Sequence, residues 1–129
     1  MSQLPVSMRK GFVMEILEDR TMFAVLVELL PTKTLVVEGE ATAERVVVRQ
    51  VDGLVHVRVN GSHSSFERKD VEDILYIGHH GDDYFRNFTK IPSVMFGGRG
   101  GDTLIGGNGD DVINGMDGND HLYGFLGRD

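Results

Sequence analysis

No cysteine occurs in the 129 residues, which excludes a disulfide framework and any thiolate metal site. No apolar run approaches the ~20 residues of a membrane-spanning helix. The longest candidate, Met22-Phe23-Ala24-Val25-Leu26-Val27, is cut by Glu28 and preceded by Glu15, Glu18, Asp19 and Arg20, which makes a poor secretory core. Glutamate stops at Glu72, so the acid-rich C-terminal third cannot supply the closing Glu of an EF-hand loop. There is no H-E-x-x-H, no G-x-x-x-x-G-K-[ST] and no G-x-G-x-x-G, and no helix-period segment follows the glycines. A zinc-protease helix and the common nucleotide loops are thereby excluded. Of the five histidines, His79 and His80 are adjacent and point different ways in an extended turn. His56 occupies an alternating strand position, and His63 and His121 read as isolated, so no two have zinc-ligand spacing. Basic residues are outnumbered, 13 against 20 acidic, for a net charge of −7. From Met95 onward six Asp face only Arg99 and Arg128. Such a surface repels nucleic acid and anionic membrane and attracts divalent cations.

What the chain does have is a nine-residue repeat. Successive units begin at Gly97, Gly106 and Gly115, and a fourth begins at Gly124 and stops at Asp129. Every unit carries Gly at positions one and four and Asp at position six; the three complete units carry Leu104, Ile113 and Leu122 at position eight. Each divides into a six-residue glycine-rich turn and a three-residue strand. Glycine allows left-handed backbone and close approach of carbonyl groups. Calcium, a hard cation, takes roughly 6–8 oxygen ligands at about 2.3–2.6 Å. One turn cannot offer so many, but stacked turns can, through backbone carbonyls and the position-six carboxylate. A disordered acidic linker has the same composition, yet random composition does not hold Gly, Asp and an apolar residue in phase over four units.

The pattern G-G-x-G-x-D-x-U-x resembles the RTX, or hemolysin-type, calcium-binding repeat family. The resemblance implies an all-β fold, a right-handed parallel β-roll or β-helix in which alternate units share an edge. It then implies that Asp102 and Asp120 face one calcium ion, and Asp111 and Asp129 another on the opposite edge. Carbonyls of Gly97, Gly98, Gly100, Gly106, Gly107, Gly109, Gly115 and Gly118 would add oxygens, and Leu104, Ile113 and Leu122 would form an inward ladder. Upstream, Gly78-His79-His80-Gly81-Asp82-Asp83-Tyr84-Phe85-Arg86 fits the frame with His79 in place of the second glycine. It starts 19 residues before Gly97, and the segment Asn87–Phe96 between them reads as a degenerate half-coil with a strand at Val94–Phe96. On that register Asp83 stacks beside Asp102 and completes a third, weaker site, although one inserted residue disturbs the pairing.

Residues 33–77 read as a β-rich cap. Thr34–Val37, Arg45–Arg49, Leu54–Val59 and Ile74–Ile77 are rich in β-branched residues; Asp52-Gly53 marks a tight hairpin, and Asn60-Gly61 ends the third strand. Gly39–Val46 keeps Gly at one and Val at eight but has Thr42 at four and Glu44 at six. It reads as an eroded coil that extends the stack without binding metal, as terminal repeats often do. Residues 1–32 form an N-terminal segment. There Leu17-Glu18-Asp19-Arg20-Thr21-Met22-Phe23-Ala24 resembles the Leu-Glu-x-Arg motif of planctomycete surface and exported proteins. The alternative is an amphipathic helix from about Met8 to Leu30, ended by Pro31.

The expected protein is therefore a calcium-dependent structural module at the cell surface or outside the cell, with Ca2+ as its cofactor and no catalytic residues. No nucleophile lies beside a base, and Glu67, Asp70, Glu72 and Asp73 sit with Arg68 and Lys69 in a mixed-charge turn. The alternative is a fragment of a β-helix enzyme, or a carbohydrate-binding or adhesive module. Expected partners are calcium, with self-association at the last coil, where the chain stops in mid-turn, or an extracellular polysaccharide. Neither nucleic acid nor a membrane span is expected.

Overall fold

The computed structural model describes residues 11–13, 25–40, 42–125 and 127. Twelve strands run in chain order: β1 (Gly11–Val13), β2 (Leu26–Leu29), β3 (Thr34–Glu38), β4 (Arg45–Val51), β5 (Leu54–Val59), β6 (Ser62–Glu67), β7 (Asp73–Ile77), β8 (Tyr84–Asn87), β9 (Ser93–Phe96), β10 (Thr103–Ile105), β11 (Asp111–Asn114) and β12 (His121–Tyr123). They form two six-stranded mixed sheets, β1-β2-β3-β7-β9-β11 and β12-β10-β8-β4-β5-β6. The protein is all-β, as expected. Among the described residues no helix is long and apolar enough to cross a membrane.

From β7 onward each strand enters the sheet opposite to its predecessor, and from β9 onward each pairs in parallel with the strand two before it. β3 and β4 obey the same rule, pairing in parallel with β7 and β8. The antiparallel pairs are confined to β1–β2–β3 and to the arm β4–β5–β6. That arm is made by two tight turns. Asp52-Gly53 and Asn60-Gly61 both have positive φ (52° and 78°, 50° and 104°), the backbone that a two-residue hairpin between twisted strands requires. β6 was not foreseen because Ser62-His63-Ser64-Ser65 lacks β-branched residues; its place follows from its register on β5.

Strand alternation fills the space between the sheets. Val27, Leu35, Val37, Ile74, Tyr76 and Met95 point inward from the first sheet, and Val46, Val48, Val55, Val57, Phe85 and Leu104 from the second, all fully buried. Tyr76 and Phe85 stack across the gap with centroids 4.5 Å apart. β3, β4 and β7 bring two inward apolar side chains each, whereas β8, β9 and β10 bring one each, Phe85, Met95 and Leu104. Ile113 is partly buried against the core, but Leu122 is 45% exposed, because β12 is the edge strand with no further strand over it in the described structure. The ladder expected from position eight thus holds for two of its three members.

The helix from Met8 to Leu30 is not formed where the chain is described: Gly11–Val13 and Leu26–Leu29 are paired strands. Alternate burial of Val25, Val27 and Leu29 shows a period of two, which the acidic residues further upstream had obscured. The Leu17–Ala24 motif lies outside the described residues, as does Asp129.

Candidate metal centre

The two edges of the molecule are the places where the chain crosses between sheets. On one edge four turns, 39–44, 78–83, 97–102 and 115–120, carry it from the first sheet to the second. Their position-six acids form a column held through the backbone. Asp120 Oδ1 accepts the N–H of Asp102 at 2.8 Å, Asp102 Oδ1 accepts that of Asp83 at 2.8 Å, and Asp83 Oδ1 accepts that of Glu44 at 2.9 Å. One carboxylate oxygen per turn therefore ties the stack together. The other is aimed back at the turn's own first glycine.

That second oxygen explains why position one must be glycine. A Cβ on Gly97 would lie 2.5 Å from Asp102 Oδ2 and 2.9 Å from the Gly115 carbonyl; on Gly78 it would lie 2.5 Å from Asp83 Oδ2 and 2.7 Å from the Gly97 carbonyl. Gly106 and Gly115 are blocked in the same way by Asp111 and Asp120. Position four serves the neighbouring turn. Gly100 (φ 108°) and Gly118 (φ 109°) sit against the carbonyls of Gly81 and Gly100, and Gly98 sits against that of His79. His79, at position two, adopts φ 69° and places its ring nitrogen 2.7 Å from Glu38, so a non-glycine is held there by a hydrogen-bonding partner.

The column is dry. Asp83 is 2% and Asp102 0% exposed, and Oδ2 of each has no hydrogen-bond partner. Burial, with the neighbouring acids adding to it, lifts Asp83 to about 8 and Asp102 to about 6. A buried carboxylate without a partner costs several kcal/mol, and a cation is the ordinary remedy. Among the described residues no three His, Asp or Glu side chains converge as a metal cage, so an ion here must draw on backbone carbonyls as well. The turns supply them, with the carbonyls of Gly78, Gly97 and Gly115 packed beside the carboxylates. An all-oxygen set of this kind suits calcium, which accepts irregular, high coordination. The residues fit the ion.

The opposite edge is built differently. Asp111 is buried, but its Oδ1 accepts the N–H and hydroxyl of Ser93 at 3.1 and 2.6 Å, and its Oδ2 accepts the N–H of Gly107 at 3.1 Å. No second carboxylate lies above it. The turn there closes on Asn87, whose Nδ2 donates to the Ile91 carbonyl at 2.9 Å while its Oδ1 accepts from the Thr89 N–H and hydroxyl at 2.9 and 2.6 Å. Gly107 and Gly109 pack on the carbonyls of Thr89 and Lys90. The structure therefore brings Asp83, Asp102 and Asp120 together and sets Asp111 apart; its intended partner, Asp129, lies outside the described residues. Sequence reasoning missed Tyr76 and Asn87 because neither occupies a repeat position rich in oxygen, and Ser93 because, although its register on Asp111 puts it at position six, it is not an acid. It also read His63 as isolated, whereas the β5–β6 register brings its Nε2 to 2.9 Å from His56 Nδ1.

Residues 96–129 match the family model of the RTX calcium-binding nonapeptide repeat, in four copies. No curated protein and no solved structure matches the chain. The matched stretch contains Asp102, Asp111 and Asp120; the turn at Gly78–Asp83 lies upstream of it and joins it through the pairing of β8 with β10.

Proposed function

We propose that the chain is a calcium-binding structural module, a right-handed parallel β-roll whose last coils are held together by metal on one edge. The observation that carries this reading is the column Asp83–Asp102–Asp120, buried at its upper members, with oxygens left unpartnered among stacked glycine carbonyls, in a stretch continuous with calcium-binding repeats. The chain's role is non-catalytic, and its setting is the cell surface or outside the cell, where millimolar calcium suits weak sites. Metal binding and folding of the last coils are then one free energy. The test is a calcium titration of the EDTA-treated protein followed by far-UV circular dichroism, with magnesium as control. A cooperative gain of β signal with calcium alone supports the reading. A full β spectrum without metal, unchanged by calcium, sinks it.

A second reading, adhesion to an acidic polysaccharide, is favoured by the outer face of the second sheet. Arg45, Arg49, Arg58 and Arg86 project from adjacent strands, and no ion pair to any of them is formed among the described residues. Arg45 lies 4.1 Å over the Tyr84 ring, and Arg49 and Arg86 lie 4.3 and 4.0 Å over Phe88. With His56 and His63, three of these arginines line a shallow groove of about 510 Å³. An otherwise acidic protein concentrates cations and aromatic rings there, a combination suited to uronate or sulfated sugars. Salt-sensitive retention on immobilised polyuronate, lost in the Arg49→Ser, Arg86→Ser double variant and absent on neutral glucan, is the expected result. Equal retention on both supports would remove this reading.

A further inference from the structure

The acidic column does not stop where the repeat signature stops. Its top member is Glu44, 39 residues before Asp83, in a turn with no glycine at positions two or four. The backbone nevertheless repeats the lower turns. Tyr84 N–H donates to the Glu44 carbonyl at 2.8 Å, as Thr103 does to Asp83 and His121 to Asp102, each at 2.8 Å. Gly81 packs on the Thr42 carbonyl as Gly100 packs on that of Gly81. Gly39 meets the Glu44 carboxylate and the Gly78 carbonyl, as Gly78 meets Asp83 and the Gly97 carbonyl. Two of the three features that define the lower sites, a position-one glycine under a carboxylate and the carbonyl of the next turn beside it, are thus present again. The third, a second acid below, is Asp83.

Two independent features mark this level as a place for a ligand. Glu44 is 3% exposed; its Oε2 accepts the N–H of Glu40 and the hydroxyl of Thr42, but Oε1 has no partner. Tyr76, fully buried on β7, has an unpartnered hydroxyl that would lie 3.0 Å from a Cβ on Gly78, the same point that Asp83 Oδ2 approaches. The lower turns have no such hydroxyl. The Tyr76 hydroxyl and Asp83 Oδ2 meet at Gly78, and the free Glu44 Oε1 lies one turn above, at Gly39 beside the Gly78 carbonyl; buried oxygens left unpartnered at successive turns are rare in native proteins.

We propose that the turns at Gly39–Glu44 and Gly78–Asp83 form a further divalent-cation site of the calcium class, with the Glu44 and Asp83 carboxylates as its charged oxygens and the Tyr76 hydroxyl beside it. The inference rests on the calcium reading of the lower column but concerns residues outside the matched repeats. It departs from the sequence expectation that the Gly39–Val46 coil extends the stack without binding metal.

The test uses the full chain, counting bound calcium by equilibrium dialysis and reading terbium luminescence excited through tyrosine. Glu44→Gln should bind one calcium ion fewer than the unaltered chain. Tyrosine-excited terbium emission should fall to near background in Glu44→Gln and in Tyr76→Phe, and persist in Tyr84→Phe. Asp120→Asn should lose a different ion and keep the emission. Glu44→Asp, which restores the residue type of the lower turns, should retain the site and guards against a folding defect in Glu44→Gln. If Glu44→Gln binds as many ions as the unaltered chain while Asp120→Asn binds fewer, the upper pair shares a proton instead and the proposal fails with the lower sites intact. If the unaltered chain binds no calcium, both readings fail together.

Discussion

The two edges of this molecule meet the same problem, closing tight turns between sheets, with opposite chemistry. On one, Glu44, Asp83, Asp102 and Asp120 stack with an oxygen unpartnered on each of the first three. On the other, Asn87, Thr89 and Ser93 complete their own hydrogen bonds and satisfy Asp111. Neutral amides and hydroxyls both donate and accept, so a turn built from them is finished by the protein alone. Ionised carboxylates only accept, so a column of them is finished only by protons or a cation. On the calcium reading proposed above, metal dependence belongs to one edge rather than to the whole fold.

The largest effect that would break this contrast comes from the centre of the column. Asp102→Ala removes the acceptor for the Asp83 N–H and an acid flanked on both sides. In saturating calcium it should cost about 3–5 kcal/mol, the usual penalty for breaking a buried charged network, and nearly all of that should vanish in EDTA. Urea unfolding with and without metal measures both. A loss of equal size in EDTA would mean that Asp102 serves packing rather than metal.

Asn87→Ala strips the opposite edge of three hydrogen bonds and leaves buried partners unmatched. A loss of about 2–3 kcal/mol is expected, equal in calcium and in EDTA. Dependence of that loss on calcium would show the edges to be coupled.

The pH response separates the edges further. Without metal, Asp83 and Asp102 keep protons up to about 8 and about 6, whereas the unfolded chain releases them near pH 4. Between those limits the folded state binds more protons, so stability falls as pH rises. The melting temperature in EDTA should drop by at least about 5 °C from pH 5 to pH 8. In calcium the trend should reverse, because ligation requires the ionised form. A flat profile in EDTA would show that the column is already open to water. The smallest effect is expected of Ser93→Ala, about 1 kcal/mol, with calcium stoichiometry unchanged in dialysis.

Much of this was legible without coordinates. The phase of Gly, Asp and apolar residues identified the turns at Gly97, Gly106 and Gly115, and the upstream turn at Gly78 despite His79. The strands at Thr34, Arg45, Leu54 and Asp73 announced themselves through β-branched residues, and Asp52-Gly53 through its turn chemistry. The column's top member was not legible as a ligand. Glu44 is separated from Asp83 by the β5–β6 arm, an excursion that breaks the nine-residue period while leaving the stacking register intact. Tyr76 was equally hidden, since an inward tyrosine on a strand reads as core whether or not its hydroxyl has a partner.

Local chemistry along the chain determined which turns form and where each strand begins, because left-handed glycines and alternating side chains act within a few residues. Which acids face one another was decided only by the tertiary structure. Stacking brings position six of one turn beside position six of the next but one, and it excludes water from the space between them. The sequence alone determined that carboxylates recur; the fold determined that Glu44, Asp83 and Asp102 are each buried with one carboxylate oxygen unpartnered, and Asp111 with both oxygens hydrogen-bonded.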